Sequence, residues 1–104
     1  MHDDFDEEFA SDMLGKHVLV GITFVDAAER PVEQRHLHGW VVRASRNEGV
    51  VLKLEPSGEE LKLPPLTRAF DFADPGEYRL DSTGEVIIDP DYTCAWFIRD
   101  PVLH

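Results

Sequence analysis

Residues 49–65 read GVVLKLEPSGEELKLPP. Val50, Leu52 and Leu54 alternate with their neighbours, and Leu61 and Leu63 resume the alternation further on. A period of two places each set on one face of an extended strand. Between them stands Glu55-Pro56-Ser57-Gly58. Proline suits the second position of a type I turn, and glycine suits the left-handed residue of the bulge that follows it. Pro64-Pro65 ends the second strand because proline cannot donate to a ladder. The segment predicts an antiparallel hairpin. Asp81-Ser82-Thr83-Gly84, between EYRL and EVII, repeats the same logic. Two hairpin signals of one kind predict a chain built mainly from antiparallel β-structure.

Upstream, HVLVGITFV (17–25) alternates Val18, Val20, Ile22 and Phe24 against a partly apolar second face, which predicts a fairly central strand. DAAERP (26–31) reads as a loop. QRHLHGWVVRA (34–44) reads as a second strand, with His36, His38, Trp40 and Val42 on one face and Gly39 marking a sharp bend. SRNEG (45–49) is turn chemistry. Downstream, LTRAFDFA (66–73) predicts a connection or single helical turn, or an extended segment, and DPDY (89–92) another turn. YTCAWFI (92–98) predicts the last strand. About seven short strands at this spacing suit a small barrel or sandwich. The expectation is a single domain over 1–104. It consists of an acidic leader over 1–14 and a small, strongly bent antiparallel β-barrel of the SH3-like or Sm-like kind over 16–100, with a β-sandwich as the alternative.

The leader reads DDFDEEFASDML over 3–14. Phe5, Phe9 and Met13 form one stripe of a helix. The acids around Phe5 favour a helix N-terminus, and Gly15 is a natural stop. The expected structure is a short helix that docks its phenylalanines on the body. The rival is a frayed acidic tail, because so short a helix needs tertiary contacts to persist.

GKHVLVGITF, HLHGWVV and GVVLKL together resemble the bent three-strand opening of Sm-like barrels, in which a glycine in the second strand permits the bend. The chain lacks the basic loop residues of the RNA-binding members. Residues 75–92, PGEYRLDSTGEV followed by PDY, resemble small bacterial barrel proteins of unassigned function, and that resemblance implies no activity.

The 104 residues carry 21 acids and 10 bases, a formal net charge of −11. Six acids and no base lie in the first twelve residues, which leaves 15 acids against 10 bases, net −5, for the rest. Nucleic-acid backbones and anionic membranes are held by clustered Lys and Arg, so this balance argues against both as ligands. No run approaches the ~20 apolar residues of a membrane helix, and the start of the chain does not have the pattern of a secretory signal. With a single cysteine, Cys94, the chain has no internal disulfide. The expected location is cytoplasmic.

The leading functional expectation is a non-enzymatic acidic binding protein, for instance an inhibitor or immunity-type module, that holds a basic protein partner. The acids expected to carry it are Asp3, Asp4, Asp6, Glu7 and Glu8 of the leader and Glu29 and Glu33 of the loop. The alternative is a small metal-binding protein or metal-dependent enzyme. His36 and His38, two apart on a strand, point their imidazoles to one face and predict a transition-metal site, with His17 or one of the many acids as a further ligand. The cupin pattern fails, since the four residues after His38 are Gly39, Trp40, Val41 and Val42. The bland reading of the pair is two strand histidines. Asp71 with Asp74 and Asp89 with Asp91 are carboxylate pairs that flank prolines, where Asp caps backbone. Cys94, mid-strand among aromatics, is expected to be buried and inert. Small-molecule binding inside the barrel is a third reading, limited by how little interior a barrel of this size has.

Overall fold

The computed structural model describes residues 4–80 and 84–99. Asp3, the Asp81-Ser82-Thr83 part of the second hairpin turn and position 100 lie outside the described residues. Helix α1 (Glu7–Met13) is followed by eight strands: β1 (His17–Val25), β2 (Pro31–Ser45), β3 (Gly49–Leu54), β4 (Glu60–Leu63), β5 (Asp71–Phe72), β6 (Glu77–Arg79), β7 (Val86–Ile88) and β8 (Tyr92–Arg99). A single 3-10 turn, Thr67–Ala69, precedes β5. Six strands form one sheet in the order β4-β3-β2-β1-β8-β5, and β6 with β7 forms a second, two-stranded sheet.

The leader helix forms as its stripe predicts. Asp6 caps it, its carboxylate accepting from the N–H groups of Glu8 and Phe9 at 3.0 and 3.1 Å. Phe5, Ala10 and Met13 are buried, while Phe9 meets Tyr92 and Phe72 edge-on. Apolar docking is what supports a helix this short. Gly15, at φ +77°, ends the turn that leads into β1.

The strand β1 has the predicted limits and the predicted inward set, with Val18, Val20 and Ile22 buried. With Val41, Val50, Leu52, Leu63, Phe70, Tyr92, Cys94 and Met13 they make the core. Val51 is also fully buried, so β3 is apolar on both faces rather than one.

Three expectations change. The loop expected over 26–31 is a tight turn, and β2 already begins at Pro31. The carboxylate of Asp26 accepts from the N–H groups of Ala28 and Arg30, which closes the turn early. Pro31 sits at the register irregularity opposite Val25. The bend of β2 is a bulge between Val41 and Arg43 rather than a kink at Gly39; Gly39 instead lets the β3 backbone approach, since a Cβ there would collide with the Lys53 carbonyl. Finally, the sheet is mixed, not antiparallel throughout: β8 runs parallel to β1, from Val18–Tyr92 to Val25–Arg99. Turn signals report only the pairing of strands joined by tight turns, and β8 reaches β1 from across the β6–β7 hairpin. The pairing order leaves β4 and β5 as sheet edges, with no pairing between them among the described strands.

Candidate functional site

The antiparallel register of β1 and β2 sets His17 opposite Trp40 and Leu19 opposite His38. His17 and His38 are therefore diagonal neighbours on one face, close enough for large side chains to meet. The His17 ring stacks on Trp40, centroids 4.4 Å apart and 11° from parallel. Its Nε2 lies 3.0 Å from His38 Nδ1, and His38 Nε2 lies 3.0 Å from the Glu85 carboxylate. A carboxylate only accepts, so His38 donates through Nε2; in the neutral ring, Nδ1 then accepts from the Nε2–H of His17. The result is a directed chain, His17 to His38 to Glu85, joining β1, β2 and the segment leading into β7. His38 is only 7% exposed, and both its ring nitrogens are engaged.

Burial and the neighbouring His38 hold the His17 pKa below its ordinary 6.5, against the opposite pull of Asp91 and Glu55. Asp91 also fixes the start of β1, since its carboxylate accepts from His17 N–H at 2.9 Å and its own N–H donates to the His17 carbonyl.

Beside this chain opens a cleft of about 400 Å³. Strand β1 supplies Ile22 and Phe24, β2 supplies Arg35, His36, Leu37 and His38, and the β3–β4 hairpin supplies Leu54, Leu61 and the acids Glu55, Glu59 and Glu60; Glu85 closes the remaining side. Arg35 is the only Lys or Arg among the lining residues. Glu60 is occupied, because Arg43 grips Glu60 and Glu48 with bonds of 2.8–3.0 Å. Glu55 and Glu59 are exposed.

The histidine pair expected to bind metal, two residues apart on one face of β2, lines this same cleft. His38 is held by His17 and Glu85, while His36 lies across the strand pair from Gly21. Among the described residues, no group of three or more His, Cys, Asp or Glu side chains is arranged to hold a metal ion. A metal at His38 would have to break the chain it is part of.

The acids expected to meet a partner are largely tied within the molecule. Asp4 pairs with Arg68, Glu7 with Arg46 and Glu29 with Arg99, and Asp6 caps α1. Glu8 and Glu33 are exposed. The two aspartates that flank Pro90 serve backbone: Asp89 accepts from Gly76 N–H at 2.7 Å, and Asp91 holds β1. Cys94 is buried, its sulfur accepting from the indole N–H of Trp96 at 3.3 Å, and burial pushes its thiol up to about 12. That is the inert cysteine the sequence predicts.

Glu85 is the residue that sequence reasoning misses. Nothing in its neighbourhood marks it, because its role depends on the hairpin folding across β2. The histidine diagonal had a trace in the sequence, since His17 and the His-x-His run both lie on strands, but only the register aligns them. Compared with known proteins, the chain matches no family model, no curated protein and no solved structure. Among the described residues no helix is long and apolar enough to cross a membrane.

Proposed function

We propose that the protein is a non-enzymatic acidic binding protein for a basic protein partner, in the manner of an inhibitor or immunity-type module. The observation that carries this reading is the cleft, lined by the apolar Ile22, Phe24, Leu37, Leu54 and Leu61 and by the exposed acids Glu55 and Glu59, with Arg35 as its one cation. A Lys or Arg side chain has the matching form, an apolar stem below a charged head. The contact therefore moves from the leader to the cleft. Asp4, Asp6, Glu7, Glu8, Glu29 and Glu33, already engaged or scattered, add to the long-range field that speeds encounter. The likeness to Sm-like and SH3-like barrels belongs to the same proposal. It is supported by the bulge after Val41, which bends β2, and by the close approach of the β3 backbone at Gly39.

The test is a pull-down from source-cell lysate with tagged full-length protein at low and moderate salt, beside a Glu55→Gln/Glu59→Gln variant. Wild type should capture one stoichiometric basic protein, less at higher salt, and the variant should bind it about tenfold or more weakly. Unchanged capture by the variant would remove the cleft from the reading. Capture of no basic protein at either salt would sink the reading as a whole.

A further inference from the structure

Arg35, His36, Leu37 and His38 all line the cleft, although they are four consecutive residues of β2. Alternate side chains of a strand point to opposite faces. One cleft reaches all four only where it runs along the edge of the strand. Strand β3 covers that edge from Gly39 onward, where Gly39 pairs with Leu54. After Leu54 the chain turns through residues 55–59 into β4, and among the described residues no strand pairs with residues 31–38 on the side away from β1. The cleft is the lane that β3 would fill if it continued, and the β3–β4 hairpin forms its far wall. The main chain of β2 faces into this lane. The His38 carbonyl accepts from Glu55 N–H at 3.0 Å, so His38 turns its main-chain groups away from β1. In an antiparallel ladder the N–H and C=O of one residue face the same side, and that side alternates from residue to residue. The β1–β2 register is unbroken from Trp40 to Glu33. His36 and Gln34 thus also turn their N–H and C=O into the lane, where an added strand would meet them.

We propose that the basic partner enters as an extended segment: it adds a strand to β2 beside Gln34 and His36 and seats a Lys or Arg among the acids of the cleft. The proposal rests on the cleft being the partner site. The exposed acids along the lane, Glu55 and Glu59 on the hairpin and Glu33 on β2 itself, outnumber Arg35. That excess favours a cationic strand and opposes the same edge of a second copy, which carries a net charge of −11. Main-chain bonds to Gln34 and His36 would supply affinity for any extended chain, and the acids would select a basic one.

The probe is an acetylated, amidated heptapeptide that alternates Lys and Val, titrated into the full chain at low salt. Amide exchange at Gln34 and His36 should slow about tenfold or more in the complex. Two N-methylated versions of the peptide, one methylated at the lysines and one at the valines, separate strand addition from side-chain capture. Only one set of amides faces β2, so one version should bind about tenfold or more weakly and the other should bind like the parent. Gln34→Pro removes an N–H that points into the lane and leaves the β1 ladder intact, so it should weaken binding about fivefold with unchanged circular dichroism, whereas Gln34→Ala should bind as wild type does. No binding of the parent peptide, unchanged exchange at Gln34 and His36, or an equal effect of the two methylations would each overturn the proposal. Equal binding of both methylated versions that still falls in the Glu55→Gln/Glu59→Gln variant would remove strand addition and leave the cleft as the partner site.

Discussion

At the tip of β3–β4, the Gly58 N–H donates to the Leu54 carbonyl and the Leu54 N–H donates to the Glu59 carbonyl, both at 2.8 Å. Below the tip of β6–β7, Gly84 donates to Leu80 at 2.7 Å and Leu80 to Glu85 at 2.8 Å. Both glycines stand at φ near +78°. The two hairpins close alike, yet their fates differ. Strand β3 lies between β2 and β4 and buries Val50, Val51 and Leu52 completely. The β6–β7 pair forms its own sheet, buries Leu80 and Ile87 and leaves Val86 and Ile88 exposed. Glu85 on His38 ties it to the large sheet. A turn decides that two strands pair; what the pair then packs against is decided elsewhere in the chain.

The largest test of that difference is truncation of one apolar side chain in each hairpin. Leu52→Ala should cost about 3 kcal/mol of unfolding free energy, as expected for a filled core site, whereas Ile88→Ala should cost under about 0.5 kcal/mol as a surface change. Denaturant titration of both variants measures this, and comparable losses would erase the contrast.

Glycine substitutions sharpen the likeness of the two tips. Gly58→Ala and Gly84→Ala should each cost about 1 kcal/mol, the penalty of a left-handed residue with a side chain. The space around a new Cβ is ordinary at Gly58 and empty at Gly84. Gly49→Ala should cost more, about 2 kcal/mol on the same scale, because its φ is +88° and a Cβ there would strike the Leu63 carbonyl. Equal losses at Gly49 and Gly84 would refute this ranking.

The smallest effect is the response to acid. His17 titrates below 6.5 when folded and near 6.5 when unfolded, so between those values the unfolded chain holds more protons. Its contribution to stability is complete above 6.5 and is lost as pH falls from 6.5 through the lowered value. Denaturation midpoints at pH 7.5 and 5 should differ in that direction, and by less in His17→Gln. Charging both imidazoles would also set two N–H donors against each other across 3.0 Å. Amide protection at Leu80 and Gly84 should therefore fall before that at Leu54 and Gly58; the reverse order would show that Glu85 does not tie the hairpin down.

Much of the local structure was legible. The Phe5, Phe9, Met13 stripe gave α1, the period-two run gave β1 to the residue, and Gly58 and Gly84 marked both tips. The candidate site was legible only in pieces. His38 stood out in the His-x-His run and shares the cleft with His36, but its hydrogen-bond partners come from positions 17 and 85, which nothing along the strand marks. The expected contact acids looked available because Arg68, Arg46 and Arg99, which pair Asp4, Glu7 and Glu29, lie far away in sequence.

The sequence by itself determined the charge, the helix stripe, the strand periods and the turns, since each rests on residues a few positions apart whose preferences act without distant partners. The tertiary structure alone decided the parallel pairing of β8 with β1, the bulge in β2, the unequal burial of two like hairpins and the His17–His38–Glu85 chain. These depend on which strands meet and in what register, and a shift of one residue would have turned each of those side chains to the opposite face.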